Sequence, residues 1–196
     1  MTWSWPVSTG FTLRQLSRNG RFQHDGYVGA ITRAALLADL IFDGRLSATQ
    51  TDIVIDSAAT GFAPADALLE AISAHPGWAL DSWIGMGPPV QRLLIEELCK
   101  AGVIALKPGP RLRARYELAP GSSGSEDGAR AAVPAKGSAQ IATLDALCDI
   151  ISYRTPTGDE LAACGPAAWF VDALYEFVIR SRAIDAINDA ARAGNG

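Results

Sequence analysis

Between Ile31 and Phe42 the chain reads ITRAALLADLIF, a mostly apolar run at helical spacing that halts at Asp43-Gly44. A glycine just past the last periodic residue is a helix stop signal, because it enters the left-handed region without a Cβ penalty. On a helical wheel Thr32, Asp39 and Asp43 share one face, whereas Arg33 falls among Leu36, Leu37 and Leu40. This reading puts Arg33 in the first turn, where the helix dipole disfavours a cation. A carboxylate or a phosphate would justify it there. Asp25 is the candidate carboxylate, and snorkelling to solvent is the other structural account.

The same periodicity dominates the rest of the chain and points to a mainly α fold. Thr51 to Asp56 (TDIVID) alternates polar and β-branched residues, as a short strand does. Pro64 opens a helix, PADALLEAISA, that ends before His75-Pro76-Gly77. Leu80 to Met86 holds Trp83 and Ile84, and Pro88-Pro89 precede an amphipathic helix, QRLLIEELCKAGVI, which runs into a hairpin, ALKPGPRLRARYEL. From Ala119 to Ser138 the composition shifts to Gly, Ser, Ala and Pro, the signature of a flexible loop. Two further helices are expected, roughly Ala139 to Tyr153 and Pro166 to Ala191. With 196 residues, the whole chain (1–196) reads as a single domain with that loop inside it.

Charge is unevenly placed. The chain carries a net −4, yet from Ala101 to Tyr116 there are four basic residues (Lys107, Arg111, Arg113, Arg115) and no acid. On a strand the three arginines would project from one face and Leu112, Ala114 and Tyr116 from the other. Such a face is either an edge guarded against aggregation or a site for an anion. A helix followed by a basic wing could also sit on DNA. Glu96 and Glu97 occupy the helix that would read bases, and roughly six phosphate contacts are usual for useful affinity. The net charge argues against nucleic acid too.

Catalytic motifs are missing. His24 and His75 have no partner at ligand spacing, Glu96-Glu97 reads as a solvated face, and no strand precedes GSSGSEDG. Neither an enzyme nor a cofactor or metal is therefore expected. No run of about 18 apolar residues could span a bilayer, and MTWSWPVSTG lacks the features of a secretion signal. Cys99, Cys148 and Cys164 are widely spaced and read as buried free thiols in a reducing cytoplasm.

Four stretches in order resemble the Golgi phosphoprotein 3 family: RAALLADLIFDGRL, TDIVID, ALDSWIG and LLIEELCKAGVI. The resemblance implies a single-domain helical bundle with amphipathic surrounding helices and one protruding β-hairpin. It also implies a cytoplasmic protein, peripheral to the membrane, that binds phosphatidylinositol 4-phosphate. The family's headgroup pocket uses a tryptophan, an arginine leading the leucine-rich helix, and two arginines leading the pre-hairpin helix. Carried onto this chain, the first arginine falls on Arg33 and the tryptophan on or beside His24. The later arginines fall on Pro88 and Gln91, with Arg92 just out of register. Each lost charge-assisted bond removes about 1.5–3 kcal/mol, so headgroup specificity is expected to be weakened or altered. An Ala-, Gly- and Arg-rich composition points to a bacterial source.

The candidate headgroup site is thus His24, Arg33, Gln91 and Arg92, with Lys107, Arg111, Arg113 and Arg115 on a hairpin facing a membrane or partner. The expected partner is an anionic phospholipid headgroup or membrane surface. A non-enzymatic interaction module that forms homo-oligomers through the hairpin is the alternative, and a winged-helix DNA binder comes third.

Overall fold

A computed structural model describes residues 5–17, 19–22, 26–49, 52–108, 115–119 and 137–193. His24, Asp25, Arg111 and Arg113 lie outside the described residues, as does most of the segment read as a loop. The described elements run α1 (Pro6–Arg14), α2 (Gly26–Phe42), β1 (Leu46–Ala48), β2 (Ile53–Ile55), α3 (Ala63–Ala74), α4 (Leu80–Met86) and α5 (Val90–Lys100). There follow β3 (Ile104–Lys107), β4 (Arg115–Leu118), α6 (Ser138–Ile151), α7 (Gly158–Ala163), a 3-10 turn (Gly165–Ala167) and α8 (Ala168–Ala193). The fold is mainly α with two antiparallel hairpins, as the sequence suggests.

Helix α2 sits at the centre. Ile31, Ala34, Ala35, Leu36, Leu37, Ala38 and Leu40 are all fully enclosed, so the helix is buried all round rather than along one stripe. It packs against α1, α4, α5 and α6. Its end is where Asp43-Gly44 puts it: Gly44 has φ +73°, and the Arg45 amide reaches back to the Leu40 carbonyl at 2.9 Å. Its start corrects the sequence reading. Helix α2 begins at Gly26, so Arg33 lies in the middle of the helix and not in its first turn. Thr32 and Asp39 share a face, but that face is buried.

Helix α1 (PVSTGFTLR) carries no amphipathic signal and is enclosed along nearly its whole length. Its N-cap, Trp5, offers no side-chain acceptor. Asp39 of α2 takes that part. Its two carboxylate oxygens accept from the Val7 and Ser8 amides at 2.9 and 2.8 Å. A carboxylate at the positive end of a helix is favoured by the dipole and by the unpaired amides there.

A second, smaller apolar cluster ties the β3–β4 hairpin to the body through Leu13, Phe22, Ile95, Leu98 and Ile104. The segment after α1 buttresses β4. The Tyr116 amide donates to the Gly20 carbonyl at 2.9 Å, and the Phe22 and Tyr116 rings meet edge to face at 5.2 Å. Gly20 has φ +71°, and a Cβ there would stand 2.7 Å from the Tyr116 carbonyl oxygen. The three cysteines are free. Cys164 is buried, whereas Cys99 and Cys148 are only half-buried. Among the described residues no helix is long and apolar enough to cross a membrane.

Burial pushes the Asp39 carboxyl up to about 7, against the opposing pull of the Ser8 and Val7 donors. Its folded value thus lies above its unfolded one near 4, so the fold binds the proton more tightly between them. Relative to Asp39→Asn, the parent chain should lose stability as pH rises from about 4 to about 7, as read by urea unfolding at each pH. Asp39→Ala leaves two amides uncapped and should cost about 2–4 kcal/mol at neutral pH.

Candidate functional site

The turn between α4 and α5 (Gly87-Pro88-Pro89) receives Arg33, while Gln91 and Arg92 follow it on α5. Proline at 88 and 89 closes α4 and starts α5 at Val90, whose amide bonds to the Pro88 carbonyl at 2.9 Å. Arg33 reaches this turn from the middle of α2. Its Nε donates to the Ile84 carbonyl at 2.6 Å and its Nη2 to the Gly85 carbonyl at 2.9 Å. Its Nη1 reaches the Pro88 carbonyl at 3.4 Å.

These carbonyls belong to the last turn of α4 and the residues after it, which the helix cannot satisfy itself. A cation is favoured there by the negative end of the dipole. Arg33 is therefore a cap for α4, supplied from another helix. Glycine makes room for it. A Cβ on Gly87 would stand 2.7 Å from Arg33 Cδ and 2.8 Å from the Trp83 carbonyl oxygen.

Among the described residues no carboxylate pairs with Arg33, which is only 8% exposed. Burial lowers its pKa from the ordinary guanidinium value, yet an arginine stays protonated in a protein. Among the described residues the positive charge is thus met by neutral dipoles. Three of its five N–H bonds point at carbonyls, and two have no acceptor among the described residues.

The structure brings Pro88 to Arg33, and Gln91 follows on the first turn of α5. Arg92 points elsewhere. It is strongly exposed and pairs with Glu96 one turn along at 2.9 Å, an exchangeable surface contact worth about 0–1 kcal/mol. Glu97 likewise pairs with Lys100 at 2.6 Å. This agrees with a solvated face rather than an acid–base pair.

In the hairpin, Lys107 stands directly opposite Arg115, and Leu106 opposite Tyr116. Lys107 and Arg115 therefore share a face with Glu117, and Lys107 forms an ion pair with it. The acid-free stretch ends one residue too soon to show this neutralisation. Among the described residues Arg115 has no ion pair; Leu106, on the opposite face of the hairpin with Tyr116, is 59% exposed. The α4–α5 turn precedes α5 and the hairpin follows it, so α5 joins the two.

With this geometry in view, comparison with known sequences places the chain. Residues 15–152 match the sequence model of the family Golgi phosphoprotein 3 (GPP34). That stretch runs from just after α1 through α6, and with it Arg33, the α4–α5 turn and the hairpin; the chain belongs to this family. A search of curated proteins returns no match.

Arg33→Met removes the cap and leaves carbonyls of α4 without donors. It should destabilise the chain by about 2–4 kcal/mol in urea unfolding. Gly87→Ala should destabilise it as well, by about 1–3 kcal/mol from overpacking against Arg33. Because Arg33 Cδ and the Trp83 carbonyl both block a Cβ, Gly87→Ala in an Arg33→Met background should recover only part of that loss.

Proposed function

We propose that this member of the Golgi phosphoprotein 3 family is a non-enzymatic protein that seats on anionic lipid surfaces. The observation that carries this reading is Arg33, a buried cation with no carboxylate among the described residues, held at the turn where the family resemblance sets the headgroup pocket. Two of its N–H bonds are left for a phosphate oxygen.

The same geometry supports a weakened pocket. Pro88 offers neither charge nor N–H, Gln91 is neutral, and Arg92 is drawn to Glu96. One cation in place of several cannot give a polyanionic headgroup strong selectivity. Most of the binding then comes from the hairpin. Arg115, without an ion pair among the described residues, supplies charge attraction, and Leu106, exposed on the opposite face of the hairpin, supplies apolar area, the two terms that set interfacial affinity. Each basic residue near an anionic surface adds about 1 kcal/mol.

Leu106 also favours a second reading, in which the hairpin joins copies of the chain. In that case, shortening the hairpin between Lys107 and Arg115 would lower the mass measured in solution.

Co-sedimentation tests the lipid reading. Vesicles of phosphatidylcholine with phosphatidylglycerol should retain the chain at low salt and release it at high salt. Arg115→Ser should weaken retention about fivefold. Replacing phosphatidylglycerol by phosphatidylinositol 4-phosphate at equal charge should change affinity by less than about tenfold. No retention at low salt would remove the proposal.

A further inference from the structure

The β1–β2 hairpin leaves one edge open beside an aromatic groove. Its register pairs Leu46 with Ile55, Ser47 with Val54 and Ala48 with Ile53. Beyond the strand ends, the Asp56 amide bonds to the Arg45 carbonyl at 2.8 Å and the Thr49 amide to the Asp52 carbonyl at 2.7 Å. Hydrogen-bonded and non-bonded pairs alternate in an antiparallel ladder. Val54 is therefore the residue of β2 whose main chain bonds to β1, while the main-chain groups of Ile53 and Ile55 point outward. Among the described residues nothing bonds to them. An apolar edge strand without lysine, proline or bulge is a template for another strand.

The opposite wall is flat and aromatic. His75 and Trp78, in the turn after α3, stack with ring centres 4.1 Å apart and 13° between planes. Trp83 of α4 continues the wall. Its indole N–H is buried and has no acceptor among the described residues. Between this wall and β2 lie two overlapping hollows of about 490 and 500 Å³, both lined by Asp52, Ile53, Pro76, Trp78 and Trp83. That is within the size range of ligand sites.

Charge selects the occupant. Among the described residues no lysine or arginine lines either hollow, and Asp52 does. Asp52 has no ion pair among the described residues, whereas Asp56 at the other end of the strand is 3.4 Å from Arg45. An anionic headgroup has nothing to bind here. A second copy is disfavoured too. Pairing β2 with itself about Val54 would set Asp52 opposite Asp56 of the other copy, and like charges directly opposite are destabilising.

We propose that the open edge of β2 and the His75–Trp78–Trp83 wall form a peptide-binding groove. It takes an extended apolar segment of a partner protein, flanked by lysine or arginine, by strand addition. Main-chain groups of Ile53 and Ile55 hold the backbone, alternate side chains enter against the tryptophans, and Asp52 meets the cation.

Three fluorescein-labelled probes test this against the full chain by anisotropy. One is a heptapeptide of alternating valine and threonine with lysine at each end. The second has glutamate at each end, and the third is the lysine peptide with alternate amides N-methylated. The lysine peptide should bind saturably, with the other two at least about tenfold weaker. Ile53→Pro removes one outward N–H without touching the bonds to β1, and it should weaken binding about tenfold. Asp52→Lys should reverse the preference between the lysine and glutamate peptides. Absence of saturable binding, equal binding of the three probes, or an unaltered preference in Asp52→Lys would overturn the proposal. So would a dimer of the parent chain that Ile53→Pro abolishes, since it would assign the edge to a second copy.

Discussion

A helix enclosed on every side cannot hold ionisable groups without partners, and α2 carries two in its interior, Arg33 and Asp39. Desolvating either one alone would cost several kcal/mol. Each is instead placed against the end of another helix. Asp39 accepts from the first amides of α1, and Arg33 donates to the last carbonyls of α4. The acid meets a positive helix end and the base a negative one, so both helix dipoles are used with the favourable sign. The central helix thereby fixes the start of one neighbour and the end of another. The remaining described elements pack around that frame.

Function reads outward from the same contacts. By fixing the end of α4, Arg33 also fixes the Gly87-Pro88-Pro89 turn and the direction in which α5 leaves it. The amphipathic helix α5 then delivers the hairpin, whose base rests on the segment after α1 through Gly20, Phe22 and Tyr116. A lipid-facing protrusion needs such a footing, because a lone two-stranded hairpin is marginal in water. Helix α4 serves a second surface as well. Its carbonyls are spent on Arg33 while Trp83 faces the hollow beside β2. The basic and the acidic-aromatic surfaces have opposite charge preferences, which keeps their proposed ligands distinct.

How much of this was legible depended on whether the signal was local. The stop of α2 at Asp43-Gly44 and the strand at TDIVID were readable, since turn and pattern residues act on their neighbours. By contrast, QRLLIEELCKAGVI reads as helix through Ile104, although α5 ends at Lys100 and Ile104 opens β3. Arg33 stood out as misplaced, but its partners lie more than 50 residues away and are main-chain carbonyls, which no sequence pattern marks. Helix α1 was missed for a related reason. Its serine, threonines and glycine look like a loop, yet Thr9 and Thr12 turn their hydroxyls back onto the Trp5 and Ser8 carbonyls, and Asp39 caps it from α2. Helix α7 was overlooked although Thr157 and Glu160 form a capping box, a signal the sequence does print. The β2 groove needed the register of two short strands and the position of a distant turn, neither of which is local.

Native-state hydrogen exchange tests the two-ended clamp most directly, because it reports each helix separately. In Asp39→Ala, amides of α1 should lose protection while those of α4 and the start of α5 keep theirs. In Arg33→Met the losses should fall on α4 and the α4–α5 turn, with α1 retained. A uniform loss across all helices in both variants, or no loss at either helix end, would contradict the account.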